Sequence, residues 1–184
     1  MKPWKRLALE SLVEWPVKIV KERLVTHTGQ EITYIYRPGP VEAVFVLPVT
    51  PEGEAFFVRQ YRHPTGKFLL EVPAGKVDEG EKPEEAVRRE LLEEVGAEAG
   101  ELIALPPFHP QPSFNAVVFR PFLPLSARQV QPPDLEPSEL LTPVRLPLKE
   151  AYRMLEAGEI EDGSTALTLF YARPLLSARG LLGA

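Results

Sequence analysis

Short apolar stretches that alternate with polar residues dominate the first forty positions of the chain. Val17 and Ile19 flank a polar lysine, which is the two-residue period of a half-exposed strand. Residues 17–37 predict two such strands joined by a glycine turn, and the sequence Arg-Pro-Gly-Pro at 37–40 then breaks the pattern. We therefore predict a small antiparallel β extension over residues 1–39. It is too small to be stable alone and must pack on the main domain or on a partner subunit.

From residue 40 onward, strand-like and helix-like patterns follow one another. The patterns predict strands at 41–49, 55–58, 101–105, 115–119 and 141–146, and helices at 83–95, 148–157 and 164–172. The turn at 51–53 should join the first two strands as a hairpin, and Pro174 should end or kink the last helix. Pro83 and Gly96 bound the first helix as a first-turn proline and a stop. This order predicts an α/β (α+β) domain over residues 40–184, with a mixed sheet between helices.

Composition narrows the classes of function. The chain of 184 residues has 21 basic and 26 acidic residues, a net charge of −5, which argues against a nucleic-acid partner. Cysteine is absent from the sequence, which excludes thiolate metal sites and thiol nucleophiles. We see no targeting segment and no apolar run long enough to span a membrane, so we expect a cytoplasmic protein without a membrane partner. The 21 prolines and the single asparagine suggest a thermophilic source.

Acidic residues concentrate in the predicted helix at 83–95. Glu90, Glu93 and Glu94 stand at positions i, i+3 and i+4, so their carboxylates emerge on one face and repel one another unless a cation lies among them. Arg89 precedes Glu93 by four residues and can orient its carboxylate. Hard oxygen ligands without nearby His or Cys favour Mg²⁺ or Mn²⁺ over Zn²⁺. The alternative is a solvated acidic helix face, which is what most charge runs are.

A longer pattern decides between these two interpretations. Gly75 is followed after five residues by Glu81, and after seven more by Arg-Glu-Leu-Leu-Glu-Glu-Val-Gly-Ala at 89–97. This spacing resembles the Nudix box, and the chain is similar to Nudix hydrolases. Ala97 stands where that family more often has Ile, Leu or Val, a difference that concerns packing rather than chemistry. The resemblance implies a Nudix-type α/β/α sandwich that hydrolyses a nucleoside diphosphate linked to another moiety.

The same resemblance implies a divalent metal, Mg²⁺ or also Mn²⁺, and a set of ligands for it. The ligands map onto Glu90 and Glu94, with Glu93 close by and the backbone carbonyl of Ala74 as a further ligand. Such an ion neutralises and orients a pyrophosphate and lowers the pKa of an attacking water. Positioning and charge stabilisation then remain for the protein, and we expect Arg89 to take part in them.

Segments on both sides of the box resemble ADP-ribose pyrophosphatases. They are the sequence Arg-Gln-Tyr-Arg at 59–62, the sequence Leu-Glu-Val-Pro-Ala-Gly at 70–75, a proline 15 residues after the box, and the tail at 146–162. ADP-ribose, or a related compound such as FAD, is therefore the implied small-molecule substrate, and a homodimer with the N-terminal extension at its interface is the implied assembly.

Four residues outside the box are expected to bind substrate. Arg62 can contact the diphosphate through two parallel hydrogen bonds, although a surface salt bridge is nearly as common a role. Glu71, Pro112 and Ser113 belong to the matching segments on either side of the box. Aromatic residues that could stack on adenine are also present, although each is more often part of a core or an interface: Trp15, Tyr34, Tyr36 and Phe108.

The catalytic base and the exact substrate stay open in the sequence. The loop after Pro112 lacks the carboxylate usual there, so the base must come from the box or from a later loop. We prefer Glu139, with Glu136 and Glu93 as the alternatives. Alternative substrates are FAD, a GDP-sugar, coenzyme A or a dinucleoside polyphosphate, and the alternative to an enzyme is a ligand sensor that keeps the fold without catalysis.

Overall fold

The computed structural model describes residues 3–135, 137 and 139–182. By contacts between residues, the chain forms two compact units. The first joins the N-terminal residues up to Val41 with His109–Val118, and the second joins Glu42–Phe108 with the residues from Phe119 onward. The predicted domain boundary near residue 39, and its role at a dimer interface, stay predictions.

The first unit contains a three-stranded antiparallel sheet in the order β1, β2, β3, with β1 at Lys5–Val13, β2 at Ile19–Val25 and β3 at Glu31–Tyr36. The two strands predicted at 17–37 are thus confirmed. Strand β1 was not predicted, because every one of its residues is exposed and its sequence carries no apolar–polar alternation that marks a buried face.

The remaining elements follow in chain order: β4 Glu42–Val46, β5 Glu54–Arg62, β6 Lys67–Glu71, β7 Ala74–Lys76, α1 Pro83–Val95, β8 Ala97–Glu98, β9 Leu102–Ala104, β10 Val118–Pro124, β11 Arg128–Gln129, β12 Leu141–Pro147, α2 Leu148–Glu156 and α3 Gly163–Ala178. Three sheets result, in the orders β7-β4-β10-β9, β12-β5-β6 and β11-β8. Antiparallel ladders join β5 to both of its neighbours, whereas Val49 and Leu125 form a parallel bridge. The predicted mixed α+β fold is confirmed.

Alternate residues of the central strands pack against helices on opposite faces. Val44 and Val46 of β4 lie in one cluster with Ala86 and Val87 of α1. The intervening Phe45 belongs to the larger core, which includes the following buried residues of the last two helices: Leu148, Ala151, Tyr152, Leu169, Ala172 and Leu176. Because side chains alternate across a strand, α1 covers one face and α2 with α3 cover the other. This is the α/β/α layering that the resemblance implied.

The predicted hairpin of the first two strands of the domain forms only next to its turn. The tight turn does form, because the Gly53 amide donates to the Thr50 carbonyl at 3.1 Å, but Val49 and Ala55 make only an isolated bridge. Beyond it, β4 pairs with β7 and β10, while β5 pairs with β6 and β12. Residues 43–46 of β4 and 55–58 of β5 are continuously apolar, and such runs do not specify their partners locally.

Two predicted element boundaries near prolines are also wrong, whereas a kink at Pro174 stays a prediction. The strand predicted at 115–119 runs instead over Val118–Pro124, and the Pro121 carbonyl still accepts from the Leu105 amide at 2.9 Å. Helix α3 continues through Pro174 to Ala178, since the buried face that contains Ala172 extends beyond the proline to Leu176. Burial of such apolar groups offsets the cost of about 3 kcal/mol for an interior proline. None of the helices that the structure describes is long and apolar enough to cross a membrane.

Candidate active site

Helix α1 carries the predicted site residues, and its ends are set by local sequence. Pro83 occupies the first turn, and the Glu85 carboxylate accepts from the Lys82 amide at 2.9 Å. The helix ends at Gly96, whose left-handed conformation (φ 66°) closes the last turn. The boundaries predicted from the sequence are confirmed.

The apolar stripe of α1 brings two of the three glutamates inward. Val87, Leu91 and Val95 are buried, and the neighbouring Glu90 and Glu94 are buried with them. Glu93 differs, because its side chain is 45% exposed. The interpretation as a fully solvated acidic face is therefore wrong for Glu90 and Glu94.

Glu94 is the most deeply buried carboxylate of the site, at 2% exposure. Its Oε2 accepts a hydrogen bond from the Ala74 amide at 3.0 Å, which ties the helix to β7. Burial raises the pKa of Glu94 from its ordinary value of 4.5 to about 8, and the hydrogen bond from Ala74 opposes that rise only in part. The nearby carboxylates of Glu90 and Glu139 push the pKa in the same direction as burial.

Arg89 organises the other acidic groups of the box. Its Nη1 donates to Glu90 at 2.6 Å and to Glu93 at 3.2 Å, while Nε and Nη2 each donate to the Glu81 carboxylate at 3.0 Å. Nη2 also donates to the Lys76 carbonyl at 2.9 Å. Even with this partner, burial raises the pKa of Glu90 above its ordinary value. The predicted pairing of Arg89 with Glu93 is present, as one contact of a larger network.

Gly75 leaves the space that the Glu90 carboxylate fills. A Cβ atom added at this glycine would overlap both carboxylate oxygens of Glu90. The glycine of the box is therefore required for close approach of the backbone to the carboxylate, and not for an unusual φ.

The chain before Gly75 is held by hydrogen bonds from neighbouring elements. The buried Thr165 of α3 accepts from the Val72 amide through Oγ1 at 3.0 Å, and the Pro73 carbonyl accepts from the Val46 amide at 2.8 Å. With the bond from Ala74 to the helix, this segment is fixed on several sides. Rigid support of this kind is what a precise binding or catalytic site needs.

A polar cleft of about 260 Å³ opens beside these groups. It is lined by residues of β7, α1 and the loop before β12: Ala74, Gly75, Lys76, Asp78, Arg89, Glu90, Glu93, Asp134 and Glu139. Two of the candidates for the catalytic base, Glu93 and Glu139, thus line the same cleft. The third, Glu136, lies outside the described residues. Lys76, Asp78 and Asp134 also line the cleft and were not predicted. The signal that could have identified them is their position in the sequence, within the box or close to Glu139.

Arg62 and Glu71, both predicted to bind substrate, bind each other. Arg62 donates through Nε at 2.9 Å and through Nη2 at 2.5 Å to the Glu71 carboxylate, which is 3% exposed. The hydrogen bonds to Glu71 raise the pKa of Arg62, and Glu94 is close enough to add to that effect. The salt bridge considered as the alternative for Arg62 is present, and neither residue is among those that line the cleft.

Pro112 and Ser113 lie in the first unit, together with the aromatic candidates of the extension. The Ser113 carbonyl accepts from the Tyr34 hydroxyl at 2.5 Å. Tyr34 packs edge-on against Trp4 and Tyr36. A substrate-binding role for Pro112 and Ser113 stays a prediction.

Two other aromatic candidates lie apart from this cluster. Trp15 is 84% exposed, whereas Phe108 packs edge-on against Phe119 in the second unit. Phe108 therefore contributes to a packed aromatic group, which is the core role given above as its alternative.

The donors present fit a hard divalent cation. Two buried carboxylates repel each other in the metal-free protein, and a cation between them would relieve both the repulsion and the cost of burial. Within the part of the chain that the structure describes, no three His, Asp or Glu side chains are already gathered as a ligand set. Glu90 and Glu94 are the carboxylates that would hold such an ion. The assignment of Ala74, Glu90, Glu93 and Glu94 as ligands stays a prediction.

The buried carboxylates predict how the metal-free protein responds to pH. The folded protein binds the proton of Glu94 more tightly than the unfolded chain does, so folding stability should fall as pH rises from about 4.5 to 8 and then level off. Chemical denaturation in the presence of a chelator at pH 6.0 and 8.5 measures this change. In Glu94→Gln the fall should be smaller, whereas Glu84→Gln, an exposed position of the same helix, should retain it. An identical fall in all three proteins would contradict the assignment to Glu94.

Comparison with known proteins places these features in a family. The NUDIX domain model matches residues 39–167. The chain is 32% identical to an ADP-ribose pyrophosphatase of Bacillus subtilis (strain 168), over 84% of this chain and 77% of that protein. It is 32% identical to a GDP-mannose pyrophosphatase of Yersinia enterocolitica, over 78% of each chain. The crystal structure of an ADP compounds hydrolase superposes with a TM-score of 0.88 at 26% identity and covers 98% of both chains.

The matched region contains every element that forms the cleft, from β7 and its glycine through α1 to the loop before β12. Family model, sequence relatives and solved structure agree with one another and with the box spacing found in the sequence. The chain belongs to the NUDIX family.

Proposed function

We propose that this protein is a pyrophosphohydrolase that depends on Mg²⁺, or also on Mn²⁺, and cleaves ADP-ribose or a related ADP-linked compound to AMP and a second phosphorylated product. The observation that carries the proposal is the pair of buried carboxylates of α1. Glu90 fills the space beside Gly75 and lines the polar cleft, and Glu94 is buried against β7, where it accepts from the Ala74 amide. In a protein without a catalytic role, two like charges buried together would only reduce stability, because each raises the free-energy cost of ionising the other. The relatives named for ADP-ribose and ADP compounds support the substrate class.

The reaction is a hydrolysis of one phosphoanhydride bond. Water adds to one phosphorus of the diphosphate, the bond from that phosphorus to the bridging oxygen breaks, and two phosphate monoesters leave. A divalent ion held by Glu90 and Glu94, with Ala74 as a further ligand, would supply charge neutralisation of the diphosphate and a lower pKa for the water. The remaining steps belong to side chains of this protein.

Glu139, with Glu93 as its rival, accepts the proton that the attacking water releases. Both carboxylates line the cleft together with two of the proposed ligands, Ala74 and Glu90. Arg89 holds Glu90, Glu93 and Glu81 in one network, and so it orients the acidic groups before substrate binds. Fixed groups of this kind contribute to catalysis because they need no reorganisation during the reaction.

A panel of nucleotides, incubated with the protein and Mg²⁺ and separated by chromatography, tests the function. We expect AMP from ADP-ribose, and no cleavage when a chelator removes the metal. Faster cleavage of FAD, a GDP-sugar, coenzyme A or a dinucleoside polyphosphate would replace the proposed substrate within the same reaction. Binding of ADP-ribose without cleavage of any compound would support the ligand sensor instead.

The proposed assembly is a homodimer with the N-terminal strands at its interface. Strand β1 is exposed along its whole length, and large apolar side chains near it are exposed as well: Trp4, Leu7, Leu9, Leu12, Val13, Trp15 and Val17. Exposed apolar patches of this kind are typical of interaction surfaces. The dimer and the thermophilic source stay predictions.

A further inference from the structure

The end of helix α1 is in direct contact with the loop that leads to the cleft. The Gly96 carbonyl accepts hydrogen bonds from the Val130 amide at 2.8 Å and from the Gln131 amide at 3.1 Å. One turn earlier, the Glu93 carbonyl accepts from the Asp134 amide at 2.9 Å. The loop thus supplies partners to the Glu93 carbonyl in the last turn of the helix and to the Gly96 carbonyl just after it.

Gly96 has no room for a side chain on the side that faces this loop. A Cβ atom added there would overlap the Gln131 carbonyl and would lie about 3.0 Å from the Pro132 carbonyl carbon. These are backbone atoms, and they cannot rotate away as the end of a flexible side chain can. A larger residue would therefore have to displace the loop or the end of the helix.

The loop reaches the cleft a few residues later. Leu135 packs on the cluster that contains Leu91 and Val95 of α1. Asp134 and Glu139 line the cleft on either side of this contact. The loop therefore meets the end of the helix a few residues before both of its cleft carboxylates, and the Asp134 amide is itself bonded to the helix.

We infer that Gly96 is a positioning residue for the active site, a role that rests on the proposed function. It ends the helix, and the missing side chain also lets residues 130–135 lie flat against that end, which fixes the approach of Asp134 and Glu139. Glu90 and Glu94 belong to the other face of the site, against β7 and Gly75. Displacing the loop should therefore disturb the carboxylate that accepts a proton and leave Glu90 and Glu94 in place.

Gly158 provides a matched control for a substitution at Gly96. It also follows a helix end and has a left-handed φ of 72°, but no atom lies within 4 Å of an added Cβ. Gly158→Ala thus carries the backbone strain alone, whereas Gly96→Ala carries the strain and the overlap. Gly96→Asn separates the two further, since Asn tolerates a left-handed backbone and still adds the Cβ.

The four proteins, wild type and the three variants, are compared by three measurements. Hydrogen–deuterium exchange of peptides covering residues 128–135 should increase in both Gly96 variants and not in Gly158→Ala. Affinity for Mn²⁺, measured by electron paramagnetic resonance without nucleotide, should be unchanged in all. For ADP-ribose cleavage, kcat should fall about a hundredfold in both Gly96 variants, because a displacement near 1 Å costs that much, and should stay near wild type in Gly158→Ala.

Three results would overturn the inference. They are exchange at 128–135 that is the same in Gly96→Asn and Gly158→Ala, recovery of kcat in Gly96→Asn to the level of Gly158→Ala, and loss of Mn²⁺ affinity in parallel with kcat. If the wild-type protein cleaved no pyrophosphate at all, the proposed function would fail. The exchange comparison would then still decide whether Gly96 positions the loop.

Discussion

Replacement of Glu94 by Gln, or of Glu90 by Gln, is expected to lower kcat for ADP-ribose on the order of a thousandfold. A bound cation contributes several kcal/mol of transition-state stabilisation, and each 1.4 kcal/mol is a factor of ten in rate. Gln retains the size of Glu and can still accept a hydrogen bond, so the contact from the Ala74 amide to residue 94 survives the change. AMP release measured over a range of Mg²⁺ concentrations, together with thermal unfolding, tests this prediction.

Glu84→Gln is the control for the loss of one negative charge from the same helix. Glu84 belongs to the first turn of α1 and is exposed, and it does not line the cleft. The control should retain wild-type activity, and all variants should remain folded at the assay temperature. Full activity in either Glu90→Gln or Glu94→Gln would refute the assignment of that carboxylate as a ligand.

The second large effect is expected for Glu139→Gln, with a loss of at least about a hundredfold in kcat, which is the usual size of an acid–base contribution. The affinity for Mn²⁺ should change little, because the proposed ligands belong to α1 and β7. Glu93→Gln is compared in the same assay, since both residues line the cleft. The dependence of kcat on pH should lose its acidic limb in the variant that removes the base.

Glu101→Gln, an exposed glutamate before β9, is the control for this pair. A loss below tenfold in Glu139→Gln, with a larger loss in Glu93→Gln, would transfer the role of base to Glu93. Equal small losses in both variants would show that neither Glu139 nor Glu93 is the base. Asp134 would then be the next carboxylate of the cleft to test.

The part of the site that was predicted well is the part encoded locally. The proline, the apolar stripe and the terminating glycine of helix α1 lie within residues 83–96, and each of these signals acts within a turn or two. The spacing from Gly75 to Glu90 has a physical meaning that the structure makes plain, because the glycine leaves the room that the carboxylate occupies. A pattern that depends on such contacts tolerates little variation.

The predictions were wrong where strand pairing or the extent of a helix depended on residues distant in the sequence. Strands β4 and β5 are adjacent in sequence and lie in different sheets, because β4 pairs with β7 and the distant β10, and β5 pairs with β6 and the distant β12. Pro174 sits within α3 because the buried face beyond it outweighs the lost hydrogen bond. Strand β1 is exposed along its whole length, so its sequence lacks the apolar–polar alternation that would predict a strand.

The sequence by itself determined the family, the helix of the box and the identity of the acidic residues, because spacing along one helix fixes which side chains share a face. It could not determine which of those carboxylates are buried, nor that Arg62 and Glu71 bind each other. Those facts follow from packing between elements that are distant in the chain. The net charge of −5 shows the same division between sequence and structure. The sequence locates it, because nine acidic and four basic residues at 76–98 account for all of it. Only the tertiary structure divides those charges between a solvated surface and a buried pair whose desolvation raises their pKa values.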